Sequence, residues 1–229
     1  MGTDLGTVIV TGGSSGLGAA VAAAVAGAGG TPVVLDRHEP GDGLPHEVVD
    51  LASPADARAA VARVVEGHGD VRGVVTAAGI DSPAPLADTA WEDWERTVAV
   101  NLLGTAAVVH AALPALRANG GRVVTVASTL GLRVFGDATA YCASKFGVVG
   151  FTRSLATELA GEVGVTMLVP AGMRTRFFDD RDERYKPGPD AQLVDPAEMA
   201  EAVLFALTRP AGVELRELVM TPSVEPSWP

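Results

Sequence analysis

The sequence predicts an α/β fold: one doubly wound parallel sheet of about seven strands with helices on both faces, forming a single domain over 1–229. Three observations predict it. Short β-branched runs alternate with longer alanine-rich segments along the whole chain. Each strand-like run is continuously apolar, as a strand covered on both faces must be. A glycine-rich turn joins the first strand-like run to the first helical one.

Taken in order, Thr7 to Thr11 reads as a strand and Leu17 to Ala28 as a helix closed by Gly29-Gly30. Val33 to Asp36 and Glu47 to Leu51 are the next strands, separated by a Pro/Gly-rich turn. Ser53 caps a helix that begins on Pro54 and runs to about Gly67. Gly73 to Ala78 is the fourth strand. Trp91 to Asn119 is one long helix, or two with a break, with Pro114 at a kink or in the final turn. Arg122 to Ala127 is a strand, Ala138 to Gly161 a helix and Val165 to Val169 a strand. Pro196 to Thr208 forms a helix after Asp195, and Leu215 to Met220 the last strand. The one long irregular stretch is Ala171 to Asp195. Unstructured segments of that length in compact domains are usually functional or mobile.

Nearly half of the 229 residues are hydrophobic, enough for a sizeable core, and the formal charge is −11. That charge repels a polyanion on average, and no Lys/Arg cluster offsets it, so nucleic acid is excluded as a partner. The most apolar stretch, Val98 to Leu116, is interrupted by Asn101 and His110 and is not read as a membrane span. The N-terminal residues carry no basic region, so no signal peptide is expected. Cys142 is the single cysteine, which excludes an intramolecular disulfide framework and a cysteine-based metal site and fits a reducing cytoplasm. No pair of histidines has metal-ligand spacing, so no metal is expected.

The turn Thr11-Gly12-Gly13-Ser14-Ser15-Gly16-Leu17-Gly18 has the spacing GxxxGxG. Its glycines allow a tight turn, a close approach of backbone to a pyrophosphate and close packing of helix on sheet. Backbone amides at the helix start, with the positive end of its dipole, replace lysine as phosphate partners. Gly12, Ser14, Ser15, Gly16, Leu17 and Gly18 are therefore the candidate phosphate cradle. Asp36, at the end of the second strand, can accept hydrogen bonds from the ribose hydroxyls of an adenosine and would repel a 2′-phosphate. This argues for NAD over NADP. Arg37, beside it, could hold a 2′-phosphate if its side chain turned inward.

Tyr141 and Lys145 lie one helical turn apart and share a face, so both heads can enter one cleft. A nearby cation stabilises phenolate, and a tyrosine tuned downward in this way can pass a proton near neutral pH. Only Lys145 and Lys186 are lysines among seventeen basic residues. Ser128 lies thirteen residues before Tyr141. Taken alone, YxxxK is equally the pattern of an exposed amphipathic helix.

As a set, and in this order, these motifs resemble the short-chain dehydrogenase/reductase family in its core-length branch, a Rossmann-type fold, over roughly residues 5–221. Asp50-Leu51 matches the aspartate whose side chain meets adenine. Ala77-Ala78-Gly79 matches the strand-four motif that packs the sheet centre and lines the cofactor. Asn101 matches the helix asparagine of the catalytic set, and Ser128 the serine after strand five. Pro170, Met173 and Thr175 fall on the segment that holds the nicotinamide carboxamide. The resemblance implies that Tyr141 transfers a proton to or from the substrate oxygen and that Ser128 hydrogen-bonds that oxygen. It further implies that Lys145 binds the nicotinamide ribose and lowers the Tyr141 pKa, and that Asn101 holds a water leading to solvent. The implied activity is an NAD(H)-dependent secondary alcohol dehydrogenase or ketoreductase. A 3-oxoacyl-(carrier protein) reductase and a dinucleotide sensor without turnover are the alternatives. Thr76 and Ala77 depart from the family's leading asparagine, and Thr76 is a candidate replacement for its hydrogen bond.

The substrate pocket is expected from Asp81, Ser82 and Pro83, from Leu130, Leu132, Val134 and Phe135, and from the loop after Met173. Residues 174–195, with Phe177 and Phe178 and the charge run Asp179 to Lys186, form either a lid or a solvated loop. Arg133, Arg174 and Arg176 are candidate partners of an acidic substrate, and equally solvated surface residues. Apolar residues on more than one face of the long helices predict a homo-oligomer, and the resemblance implies a tetramer, or a dimer as second choice. Trp91, Trp94 and Trp228 are read as core or edge packing.

Overall fold

The computed structural model describes residues 4–41 and 43–225; Trp228 lies outside them. Its seven strands are β1 Thr7–Thr11, β2 Thr31–Asp36, β3 His46–Val48, β4 Val71–Thr76, β5 Arg122–Val126, β6 Gly164–Pro170 and β7 Glu217–Met220. They form one sheet in the order β3-β2-β1-β4-β5-β6-β7, every pair parallel.

The two faces of the sheet follow from the strand period of two. On β1, Ile9 points to one side with Val74, Val123 and Val165 of its neighbours. Val8 and Val10 point to the other, with Val75, Val124 and Leu168. The first side is covered by α2 (Pro54–His68), α4 (Thr105–Asn119) and the C-terminal part of α5 (Thr139–Glu158). The second is covered by α1 (Gly16–Gly27) and α6 (Pro196–Leu207), which pack on each other. A third cluster, Val148, Val149, Met167 and Val169, fixes the N-terminal half of α5 against β6.

The predicted starts of α2 and α6 hold at atomic detail. Ser53 Oγ accepts from the Asp56 amide at 3.3 Å, and Asp195 accepts from the Ala197 amide at 2.9 Å, each before a proline at the first helical position. The long helix from Trp91 to Asn119 is continuous, α3 (Trp91–Val98) passing through a π-helical stretch, Ala99–Gly104, into α4. That stretch is the break the sequence left open. Pro114 lies inside α4, five residues before the end, rather than closing it. By length and composition this helix could cross a membrane, yet Val108, Val109, Ala112 and Leu116 are fully enclosed in the core facing α2 and β4.

β3 and β7 are shorter than predicted and β4 is shifted. β3 ends at Val48, which leaves Asp50 and Leu51 beyond it, and β7 starts at Glu217 rather than Leu215. β4 keeps the predicted length but lies two residues earlier and ends at Thr76, which frees Ala77, Ala78 and Gly79 from the sheet. The segment 171–195 is not structureless. Met173 bridges to Val194, and Arg176–Phe178 and Glu183–Tyr185 are short 3₁₀ turns capped by Thr175 and Asp182.

Candidate active site

The chain reverses its direction of winding between β1 and β4, neighbours in the sheet. A crevice opens at the carboxyl ends of parallel strands where this occurs. Here it is a cleft of about 1130 Å³ lined by the glycine turn, Asp36, Arg37, Asp50, Leu51, Ala77 to Pro83, Met173, Thr175 and the 176–182 segment.

The glycines of the turn are required by close approach. A Cβ on Gly18 would sit 2.2 Å from the Gly12 carbonyl oxygen, and one on Gly12 (φ +70°) 2.8 Å from the Ala78 Cα. The Cβ-free surface lets the start of α1 and the end of β4 close on one crevice. Thr11 Oγ1 accepts from the Ala78 amide at 3.1 Å, tying the two switch-point loops together. This corrects the role offered to Thr76, whose buried Oγ1 has no partner among the described residues. A narrow, glycine-paved crevice ending in the free N-terminus of α1 fits a pyrophosphate.

Asp36 ties the end of β2 to the turn. Its Oδ2 accepts from the Ser14 amide and its Oδ1 from the His38 amide, both at 3.1 Å. Asp50 accepts from the Ala52 amide at 2.9 Å and pairs with Arg96 at 2.8 Å. These hydrogen bonds and the arginine hold its carboxyl below the usual range although desolvation pulls the other way.

Ser128 follows β5, and Tyr141 and Lys145 follow one another along the first turns of α5, which crosses beneath. The Ser128 side chain lies near enough to the Tyr141 phenol to draw its pKa down, and Ser128 Oγ accepts from the Leu130 amide at 3.1 Å. Lys145 is almost fully enclosed, its Nζ donating to the Val126 carbonyl at 2.8 Å and lying 5.7 Å from the centre of the Tyr141 ring. Asn101, on the π-helical stretch, donates to Ile80 O and Ser144 Oγ and accepts from the Ile80 amide. Ser144 Oγ in turn donates to the Tyr141 carbonyl at 2.7 Å. Asn101 therefore braces the loop after β4 against α5. Ser144 was not anticipated. Its signal was its position, three residues after Tyr141 on the same helical face.

The expectation that Lys145 pulls the Tyr141 phenol down is corrected. Burial pushes the phenol up to about 12, against a smaller downward pull from Ser128. Burial also draws Lys145 down to about 8. A desolvated ammonium held by a backbone carbonyl is itself destabilised, and the same enclosure disfavours phenolate.

Of the predicted cofactor residues, Pro170, Tyr141 and Lys145 do not line the cleft. Tyr141 is separated from it by Phe177, whose ring centre is 5.9 Å from that of the tyrosine. Leu130, Leu132, Val134 and Phe135 do not line the cleft either, and the last two are exposed. Arg133, Arg174 and Arg176 are exposed, Arg176 along the rim of the cleft. The arginine enclosed in the site is instead Arg181, paired with Asp81 at 2.9 Å. It was not singled out because nothing local distinguishes it within a run of charges. Among the described residues no three His, Cys, Asp or Glu side chains are grouped to hold a metal ion.

Comparison with known proteins agrees with this geometry. The family model for short chain dehydrogenase matches residues 6–186. The chain is 30% identical to the glycine betaine reductase of Emericella nidulans, of which it spans 19% of the length. It is 32% identical to the D-threitol dehydrogenase of Mycolicibacterium smegmatis, over 90% of this chain and 86% of that one. Among solved structures, the 3-ketoacyl-(acyl-carrier-protein) reductase of Brucella melitensis complexed with NADH superposes with a TM-score of 0.84 at 28% identity, over 95% of this chain and 97% of that one. The alcohol dehydrogenase of Thermococcus sibiricus complexed with 5-hydroxy-NADP superposes with 0.83 at 25%, over 93% and 95%. Fold and crevice define a nicotinamide-dinucleotide-dependent oxidoreductase. The chain belongs to the short-chain dehydrogenase family.

Proposed function

We propose that the protein interconverts a secondary alcohol and a ketone, with NAD(H) preferred over NADP(H). The convergence of Ser128, Tyr141 and Lys145, beside a cleft paved by Gly12, Gly16 and Gly18, carries this reading. The cofactor would supply or accept the hydride. Gly12 and Ser14 to Gly18 would hold its pyrophosphate, Asp36 and Arg37 its adenosine ribose, and Asp50 and Leu51 the adenine. Ala77 to Gly79, Lys145, Pro170, Met173 and Thr175 would hold its nicotinamide half.

In the reductive direction a neutral Tyr141 phenol donates its proton to the oxygen that gains charge as the carbonyl is reduced. Ser128 donates a second hydrogen bond to that oxygen, a contribution of about 10²–10³ in rate for such donors. A phenol held up at about 12 carries the proton the reduction needs across the physiological range, but is a weaker acid than one tuned toward neutral pH. Lys145, enclosed and pulled to about 8, can shed or take a proton close behind the phenol. Asn101 and Ser144 keep α5 in register with the loop after β4.

Asp36 supports NAD, since its carboxylate would repel a 2′-phosphate, and its neighbour Arg37 is the group that would have to offset it. A carrier-linked 3-oxoacyl substrate, suggested by the name of one structural neighbour, would call for a basic landing surface, which a net charge of −11 disfavours. We read residues 174–195 as the substrate lid, supported by the contact of Phe177 with Tyr141. We read the exposed Leu103 and Phe146 as surface for a homo-oligomer, and the cytoplasm as the compartment, on the single buried cysteine.

The test is a panel of secondary alcohols and ketones followed at the nicotinamide absorbance, NAD beside NADP. Tyr141→Phe should lose turnover by about 10²–10⁴-fold while keeping NADH binding. Retained turnover in that variant overturns the mechanism.

A further inference from the structure

Asp81 and Arg181 are a hundred residues apart in sequence and meet in the cleft, Arg181 Nη2 donating to Asp81 Oδ2 at 2.9 Å. Both are largely enclosed, their side chains 6% and 13% exposed. The guanidinium lies 4.7 Å from the ring centres of both Phe177 and Phe178, which stand edge to face on one another. Phe177 in turn lies against Tyr141, and both charges act on the Tyr141 phenol. The pair therefore lines the cleft on the near side of Phe177, with Tyr141 behind that ring, and is not a remote surface bridge.

One atom of this arrangement is unaccounted for. Arg181 Nε is buried with no hydrogen-bond partner among the described residues. A buried unmade hydrogen bond is costly, and an apolar pair of similar volume would close the lid as well or better than a desolvated ion pair. An orphan donor beside a buried carboxylate is a site for a group that both accepts and donates. A hydroxyl does both. A substrate carboxylate does not fit: Asp81 already neutralises Arg181, and Asp179, Asp180 and Asp182 of the same loop line the cleft.

Resting on the alcohol–ketone reading, we propose that Asp81 and Arg181 recognise a second hydroxyl on the substrate, which is a neutral polyol or its hydroxy ketone. That hydroxyl accepts from Arg181 Nε and donates to Asp81 while the reacting carbon sits at Tyr141 and Ser128. Contacts with Phe177 and Phe178 restrict where the guanidinium can sit beside Asp81.

The experiment compares ribitol, xylitol and arabinitol with pentan-2-ol and pentan-3-ol, in the full-length wild type and in Arg181→Met, Arg181→Lys and Asp81→Asn. All variants are first checked for cooperative thermal unfolding. At least one pentitol should exceed both pentanols in kcat/KM by about tenfold or more, as for sites that hydrogen-bond a substrate hydroxyl. Each substitution should lower the pentitol value by about tenfold more than the pentanol value. Arg181→Lys keeps the charge but lacks Nε, and it should behave as Arg181→Met does. Pentanols equal to every pentitol, equal losses on both substrates, or full rescue by lysine would each overturn the recognition role and leave the alcohol–ketone reading standing. Absence of turnover with every alcohol and both dinucleotides would instead overturn that reading. Saturation-transfer NMR of the NADH-loaded protein then decides the inference: pentitol signal lost in Arg181→Met sustains the site, and signal unchanged or absent in the wild type ends it.

Discussion

The Phe177 ring lies across the Tyr141 ring, centroids 5.9 Å apart and planes tilted by 56°. One residue sits in the first turns of α5 and the other in the segment after β6, so the surroundings of the proton-transfer group are set by a loop that shares no local sequence with it. Tyr185 fastens the same segment at its far end, its hydroxyl donating to Asp137 at 2.9 Å.

Removing that cover should change the phenol. In Phe177→Ala the Tyr141 hydroxyl gains water, the desolvation that raises it weakens, and the rise of alcohol oxidation with pH should move to lower pH. A pH–rate profile of wild type and variant, measured in the oxidative direction, reads this. An unmoved profile would separate the ring from the chemistry.

The segment 174–195 should also be protected on ligand binding. Chymotrypsin cutting at Phe177, Phe178 or Tyr185 should slow when NADH is added, and equal rates with and without NADH would count against a lid.

Gly18→Ala places a methyl 2.2 Å from the Gly12 carbonyl, where only backbone can give way. We expect about 1–3 kcal/mol of lost stability, the usual cost of forced crowding, with NADH affinity weakened by tenfold or more. Urea unfolding and NADH fluorescence titration check the two effects separately.

Asp36→Ala removes the carboxylate that accepts from the Ser14 amide. The NAD kcat/KM should fall by about tenfold for a lost hydrogen bond to a charged group. The NADP value should rise as Arg37 is left without a competing charge. A preference that does not move would place cofactor choice elsewhere.

Lys145 and Tyr141 give stability a pH signature. Burial lowers Lys145 from 10.5 to about 8, so between those values the unfolded chain holds a proton that the folded one lacks, and stability rises with pH. Burial raises Tyr141 from 10.0 to about 12, so above pH 10 the folded chain holds the extra proton and stability falls. Lys145→Met should therefore stabilise the ligand-free protein at pH 7 by about 2 kcal/mol, with the gain fading toward pH 10.5. Chemical unfolding across that range measures it.

The chain's own order of residues was enough for the layered α/β architecture, the seven strands, the glycine crevice, Asp36 and the positions of Ser128, Tyr141 and Lys145. Each rests on a local rule: apolar periodicity, proline and cap chemistry at helix starts, glycine where backbone must approach backbone, and a four-residue spacing on a helix. The π-helical stretch that carries Asn101, the Asn101–Ser144 brace and the burial that drives the phenol up and the ammonium down were decided only by tertiary structure. So was the choice of Arg181 from a run of similar charges. These depend on what is enclosed and what lies opposite across a hundred residues of chain, and desolvation has no local sequence signature because it is a property of the whole surrounding shell.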